Sequence, residues 1–104
     1  FKAISDTIDK NTDTSLTFFS GYDCDSLAFE KITGFAEKAL EFFTNFSSVE
    51  FELRTKSIVS ETLLKRSPIS NCIVAYSLSP SNLAGVLDNK APSIERRVNA
   101  LKTL

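Results

Sequence analysis

The run SGYDCDSLAFE, residues 20 to 30, gathers two carboxylates, a thiol and a hydroxyl in Asp23, Cys24, Asp25 and Ser26, where an apolar stretch gives way to an amphipathic one. Carboxylates accept amide or hydroxyl hydrogen bonds, a hydroxyl donates or accepts, and a thiol is a weak donor. Two more polar groups follow apolar runs: Arg54-Thr55-Lys56-Ser57 after VEFEL, and Ser77-Leu78-Ser79-Pro80 after CIVAY. Hydroxyl and ammonium groups at three such places suit a single ligand, provided that the fold brings the three together.

What the chain lacks narrows the chemistry. With no histidine, it has no imidazole base and no Ser-His or Cys-His nucleophile pair. Cys24 and Cys72 are far apart and form no CxxC pair, so no self-contained zinc site is expected, and cysteine usage of this kind fits a reducing, cytoplasmic compartment. The net charge of −1 and pI near 5.4 give no overall drive toward nucleic acid or a membrane surface. No apolar stretch approaches the roughly 18 residues of a membrane span, and no signal-peptide pattern is present.

Each candidate also has a plain structural reading. Ser26 or Asp25 before a helix can be an N-cap that satisfies orphan amides, and Ser57 can serve the same end. Lys56 can be a solvated loop charge and Cys24 an inert small residue, while Cys72 lies in an apolar strand and reads as core. Phe35, Phe42, Phe43 and Phe46 read as core packing, since no basic groups interleave them.

The elements that must position these groups alternate along the chain. Phe1, Ile4 and Ile8 follow helical spacing, and Asn11-Thr12-Asp13 marks a turn. Thr14 to Ser20 reads as a strand. A helix is expected from Leu27 to Phe46, with Ile32, Phe35, Ala36, Ala39, Phe43 and Phe46 on its apolar stripe and Glu30 off it. Residues 49 to 57 alternate Val49, Phe51 and Leu53 with Glu50, Glu52 and Arg54, the clearest strand pattern in the chain. Ile58 to Lys65 reads as a short helix, and Cys72 to Leu78 as a third strand. A long connection with about one helical turn then leads to a last helix beginning near Pro92, with Ile94, Val98 and Leu101 on one stripe. The order αβαβαβα predicts one α/β domain of parallel strands joined by right-handed crossovers.

The charged face of 49–54 bears on the architecture. A strand covered by helices on both faces is nearly all apolar, whereas in a β/α barrel one face points into the lumen. A polar barrel lumen and a solvated edge strand both fit the pattern. In either case, ligands of parallel β/α folds bind at the carboxyl ends of the strands, where all three polar groups fall. Lys56 shares the phase of Glu50, Glu52 and Arg54.

Four stretches in order, GYDCDSLAFE (21–30), ELRTKS (52–57), AYSLSP (75–80) and APSIERRVNAL (91–101), resemble the spore photoproduct lyase family of radical S-adenosylmethionine enzymes, which includes the bacterial DNA repair photolyases. The resemblance spans about residues 14 to 104. It implies part of a partial (β/α)6 barrel of the TIM type and a 5′-deoxyadenosyl radical that abstracts hydrogen, with repair of thymine photoproducts in DNA as the family's named reaction. It implies S-adenosylmethionine and a [4Fe-4S] cluster as cofactors, the cluster held by a CxxxCxxC motif that this chain does not contain. Carried over by position, Lys56, Ser77 and Ser26 contact the cofactor, and Cys24 stands where spore photoproduct lyases place the cysteine that donates a hydrogen atom to the thymine radical.

Phe1 without a methionine and Leu104 in mid-pattern are read as cuts, so residues 1–104 are expected to be an internal fragment of about three βα units. Alone it would hold no cluster and would be inactive, and it would self-associate through an uncovered sheet face. Two alternatives stand beside this reading. One is the same radical chemistry on another substrate. The other is a small non-enzymatic α/β module that binds a partner protein and uses the polar ends only as caps.

Overall fold

The computed structural model describes all residues from 1 to 104. Three parallel strands, β1 (Leu16–Ser20), β2 (Val49–Thr55) and β3 (Cys72–Tyr76), form one sheet in the order β1-β2-β3. Helices α1 (Lys2–Lys10), α2 (Glu30–Thr33), α3 (Phe35–Thr44), α4 (Glu61–Leu64), α5 (Ala84–Leu87) and α6 (Ile94–Thr103) lie between and outside them. The α/β class and the parallel pairing are therefore as expected from the alternation of elements.

The alternation in β2 sets the core. Val49, Phe51, Leu53 and Thr55 are buried, and they register with Leu16, Phe18 and Ser20 of β1 and with Cys72, Val74 and Tyr76 of β3. Leu27, Ala36, Ala39, Leu40 and Phe43 close over this face, and Ile8 of α1 joins the cluster. The Phe43 ring stacks on Phe51 at 4.4 Å and Phe18 packs beside it at 5.6 Å. Each fully buried side chain of this size contributes on the order of 2 kcal/mol. Below the strands, the Asn71 amide nitrogen donates to the carbonyls of Phe43, Phe46 and Val49, tying the α3 end to the start of β2.

The helix expected over 27–46 is broken. Residues 27–29 form a turn, α2 ends at Gly34 with φ 57 and ψ 28, and α3 starts afresh. Glycine enters the left-handed region without the Cβ penalty. The new helix start is capped from a distance, since the Glu30 carboxylate accepts from the amides of Ala36 (2.7 Å) and Glu37 (3.0 Å). Glu30 is consequently buried, contrary to its expected place off the apolar stripe, and Ile32, expected on that stripe, is 84% exposed.

The last helix also begins later than expected. Pro92 precedes it, Ser93 is its N-cap, and the Ser93 hydroxyl accepts from the Arg96 amide at 3.3 Å. The 58–65 helix is reduced to Glu61–Leu64.

The opposite sheet face has no helix over it. Thr17, Phe19, Glu50, Arg54 and Ile73 are exposed there, and Arg54 pairs along its own strand with Glu52 at 2.6 Å. No helix is long and apolar enough to cross a membrane.

Candidate functional site

All three polar groups singled out in the sequence meet at the carboxyl ends of the strands. β1 leads into Gly21, whose φ of +83 turns the chain sharply, and a Cβ there would stand 2.2 Å from the Arg54 carbonyl oxygen. Only glycine lets the β1 loop lie this close to the end of β2. The loop is then locked by Asp25. Its carboxylate accepts from the amides of Leu27 (2.9 Å) and Ala28 (3.0 Å), from the Thr55 hydroxyl (2.7 Å) and from the Lys56 amide. An acceptor-only group with four donors around it is a structural hub, and it is Asp25 that caps the turn.

Ser26 lies beside it but faces inward. It is buried, and its hydroxyl exchanges a 2.8 Å hydrogen bond with that of Ser20, which also donates to the Glu52 carbonyl. Ser57 accepts from the Val59 amide at 3.1 Å, shaping the turn before α4 rather than capping a helix.

Cys24, Lys56 and Ser77 share one hollow of about 200 Å³, whose walls also include Arg54 and Tyr22. Cys24 is an exposed free thiol there, whereas Cys72 sits half-buried in β3, where burial raises its thiol pKa despite the nearby Arg66. The Ser77 amide continues the sheet by donating to the Thr55 carbonyl. Tyr76, beside Thr55, holds its hydroxyl buried without a hydrogen-bond partner. Burial first, and the Asp25 charge second, push its pKa up.

The most heavily charged cluster was not anticipated from the sequence. Lys56 extends its ammonium to Asp88 at 2.6 Å, and the second Asp88 oxygen accepts from the Ser79 hydroxyl at 2.6 Å and from Arg97 at 3.0 Å. The Arg97 guanidinium also donates to the carbonyls of Pro92 (2.7 Å) and Ser77 (2.8 Å), so each of its three nitrogens is engaged. Both buried side chains are almost sealed, with Arg97 at 1% and Asp88 at 2% exposure. Hydrogen bonds from Lys56 and Ser79 hold the Asp88 carboxyl well below the usual carboxylate range, against the opposing effect of burial. A signal for this cluster was present. Arg97 falls in the helical phase of Ile94, Val98 and Leu101, and a cation on an apolar stripe calls for a buried anion.

A second hollow of about 430 Å³ opens on the other side of Lys56, between the Asp25 turn and residues 87–92. No three histidine, cysteine, aspartate or glutamate side chains converge as a metal-holding group. The donor set fits the cofactors named by the resemblance unequally. With two separate cysteines, the chain has no thiolate triad for an iron–sulfur cluster. For a ligand carboxylate it has the Lys56 ammonium, 43% exposed and with two N–H groups beyond the one given to Asp88, in a residue that lines the same hollow as Ser77. Comparison with known proteins adds no relative: no protein-family model, no curated protein and no solved structure matches this chain.

Proposed function

We propose that this chain supplies part of the β/α barrel of a radical S-adenosylmethionine enzyme of the spore photoproduct lyase kind, and that its strand ends hold the methionyl part of that cofactor. One observation carries the reading: Cys24, Lys56 and Ser77, from the ends of three adjacent parallel strands, line a single hollow beside an open, charged sheet face. When bound together, the cluster and S-adenosylmethionine supply a 5′-deoxyadenosyl radical for hydrogen abstraction.

This chain's own residues would bind and orient. Lys56 directs a charge-assisted hydrogen bond at the ligand carboxylate, Ser77 adds a hydroxyl donor, and shielding from water strengthens both. Ser26 acts through Ser20, holding the loop that presents Cys24. Cys24 faces the substrate side of the hollow, where its S–H bond breaks, a C–H bond forms on the substrate carbon, and the unpaired electron passes to sulfur. DNA carrying thymine photoproducts is the family's named substrate, and a different hydrogen donor substrate would use the same groups. The open sheet face is the surface through which isolated copies of this chain self-associate.

Anaerobic reconstitution with iron and sulfide, applied to the longer protein that carries these residues, tests the reading. It should give the broad visible absorption of a cluster, and Lys56→Ala should weaken S-adenosylmethionine binding by roughly 10- to 100-fold, the worth of a charged hydrogen bond. A colourless protein without CxxxCxxC upstream would end the proposal.

A second reading has its own observation. The Asp25 carboxylate has four donors, and Lys56 already has an anionic partner in Asp88. Polar strand ends satisfied in this way also suit a non-enzymatic module that binds a partner protein. Unchanged S-adenosylmethionine binding in Lys56→Ala would favour that reading.

A further inference from the structure

The connection between β3 and α6 is built differently from the rest of the chain. From Leu78 to Pro92 one residue is buried, and it is Asp88. The apolar side chains of the segment point outward: Leu78, Leu83, Val86 and Leu87 are 50%, 47%, 80% and 62% exposed. Its backbone bonds close on themselves, from Leu83 and Ala84 to Pro80, from Asp88 to Ala84 and from Ala91 to Asp88. No strand or helix of the core shares a backbone bond with it. The ties to the rest of the molecule are the ion pairs of Asp88 with Lys56 and Arg97, together with the Arg97 bond to the Pro92 carbonyl.

We infer that residues 78–92 form a lid over the hollow beside Lys56, and that Asp88 is its latch. The inference rests on this geometry and stands whether or not the bound ligand is S-adenosylmethionine. A segment with no fully buried apolar side chain opens at a small fraction of the global unfolding free energy. Here the closed state depends on one carboxylate. Opening withdraws Asp88 from two cations that have no other acidic partner, and so uncovers Lys56 and Arg97 together as a place for an anion. Asp88 is thus an internal anion that a carboxylate- or phosphate-bearing ligand must replace or share.

Limited trypsin digestion separates lid opening from global unfolding, because cleavage tracks the population of the open form. Lys90 lies in the lid and is exposed, whereas Arg54 lies in the central strand, where cleavage requires the sheet to come apart. Asp88→Asn replaces an acceptor with an amide that brings its own N–H groups against two cations. In the wild-type protein, cleavage after Lys90 should outpace cleavage after Arg54 and should respond only weakly to sub-denaturing urea, because opening the lid exposes little surface. In Asp88→Asn the initial rate after Lys90 should rise at least about tenfold. An unchanged Lys90 rate in Asp88→Asn, or a Lys90 rate as steeply urea-dependent as the Arg54 rate, would overturn the latch. Should Asp88→Asn fail to fold, Ser79→Ala decides the matter. It removes one hydrogen bond to Asp88, leaves both ion pairs, and should raise the Lys90 rate by a smaller factor. No change in that rate counts against the latch.

Discussion

Asp25 and Cys24 are neighbours in sequence with opposite surroundings. One is saturated by four donors and the other is an exposed thiol in a hollow. Residue type alone leaves Asp25 and Ser26 equivalent as caps, and what separates them is the Thr55 hydroxyl and the Lys56 amide, about thirty positions away. Local spacing carries no trace of such a partner. Arg97 was more legible, since its helical phase places a cation among Ile94, Val98 and Leu101, but nothing in the sequence names Asp88 as the answering anion. The Asp88 carboxyl titrates below its ordinary value of 3.8 in the fold. Its contribution to stability is therefore whole above that value and is lost as pH falls from there toward the depressed folded value. Urea midpoints measured from pH 7 to pH 2 should fall more steeply in the wild-type protein than in Asp88→Asn, with the gap largest at neutral pH. Parallel curves would show that the carboxylate is not held in this way.

The strands were the legible elements and the helix over 27–46 was not. Period-two alternation in β2 states which face is buried, and the structure follows it residue by residue. The 3.6-residue period runs unbroken through Gly34, so periodicity alone joins α2 to α3. The break comes from a left-handed glycine and from the Glu30 carboxylate reaching the Ala36 and Glu37 amides. The two glycines with positive φ differ in a way that can be measured. At Gly34 an added Cβ meets nothing closer than the Lys38 side chain at 4.0 Å, so Gly34→Ala carries only the left-handed penalty of about 1 kcal/mol. At Gly21 the same change also drives a methyl group to 2.2 Å from the Arg54 carbonyl. Gly21→Ala should accordingly destabilise by at least about 2 kcal/mol in urea unfolding, and should loosen the Asp25 turn with it. Equal losses at the two positions would mean that the β1 loop does not pack against β2 as described.

At the scale of the whole molecule the sheet is more open than an independent domain of this size requires. A chain of 11.5 kDa is expected to expose about 5,800 Å², and this one exposes 7062 Å². Its radius of gyration of 14.9 Å likewise exceeds the roughly 13 Å of a compact chain of equal length. Part of the excess lies on the uncovered sheet face, where Phe19, Glu52 and Ile73 form one row across the three strands, with Phe19 62% and Ile73 51% exposed. The difference of about 1,300 Å² is larger than the roughly 800 Å² that each partner contributes to a standard interface. The Glu52–Arg54 pair already neutralises the centre of the face, which lowers the desolvation penalty for covering it. Sedimentation equilibrium should therefore give a weight-average mass that rises above 11.5 kDa with concentration. Phe19→Ser combined with Ile73→Thr should weaken that association by about tenfold or more, because both apolar flanks of the row are lost while the buried face of the sheet is untouched. A wild-type protein that stays monomeric at the highest concentrations would show instead that charge on Glu50, Glu52 and Arg54 keeps this face solvated.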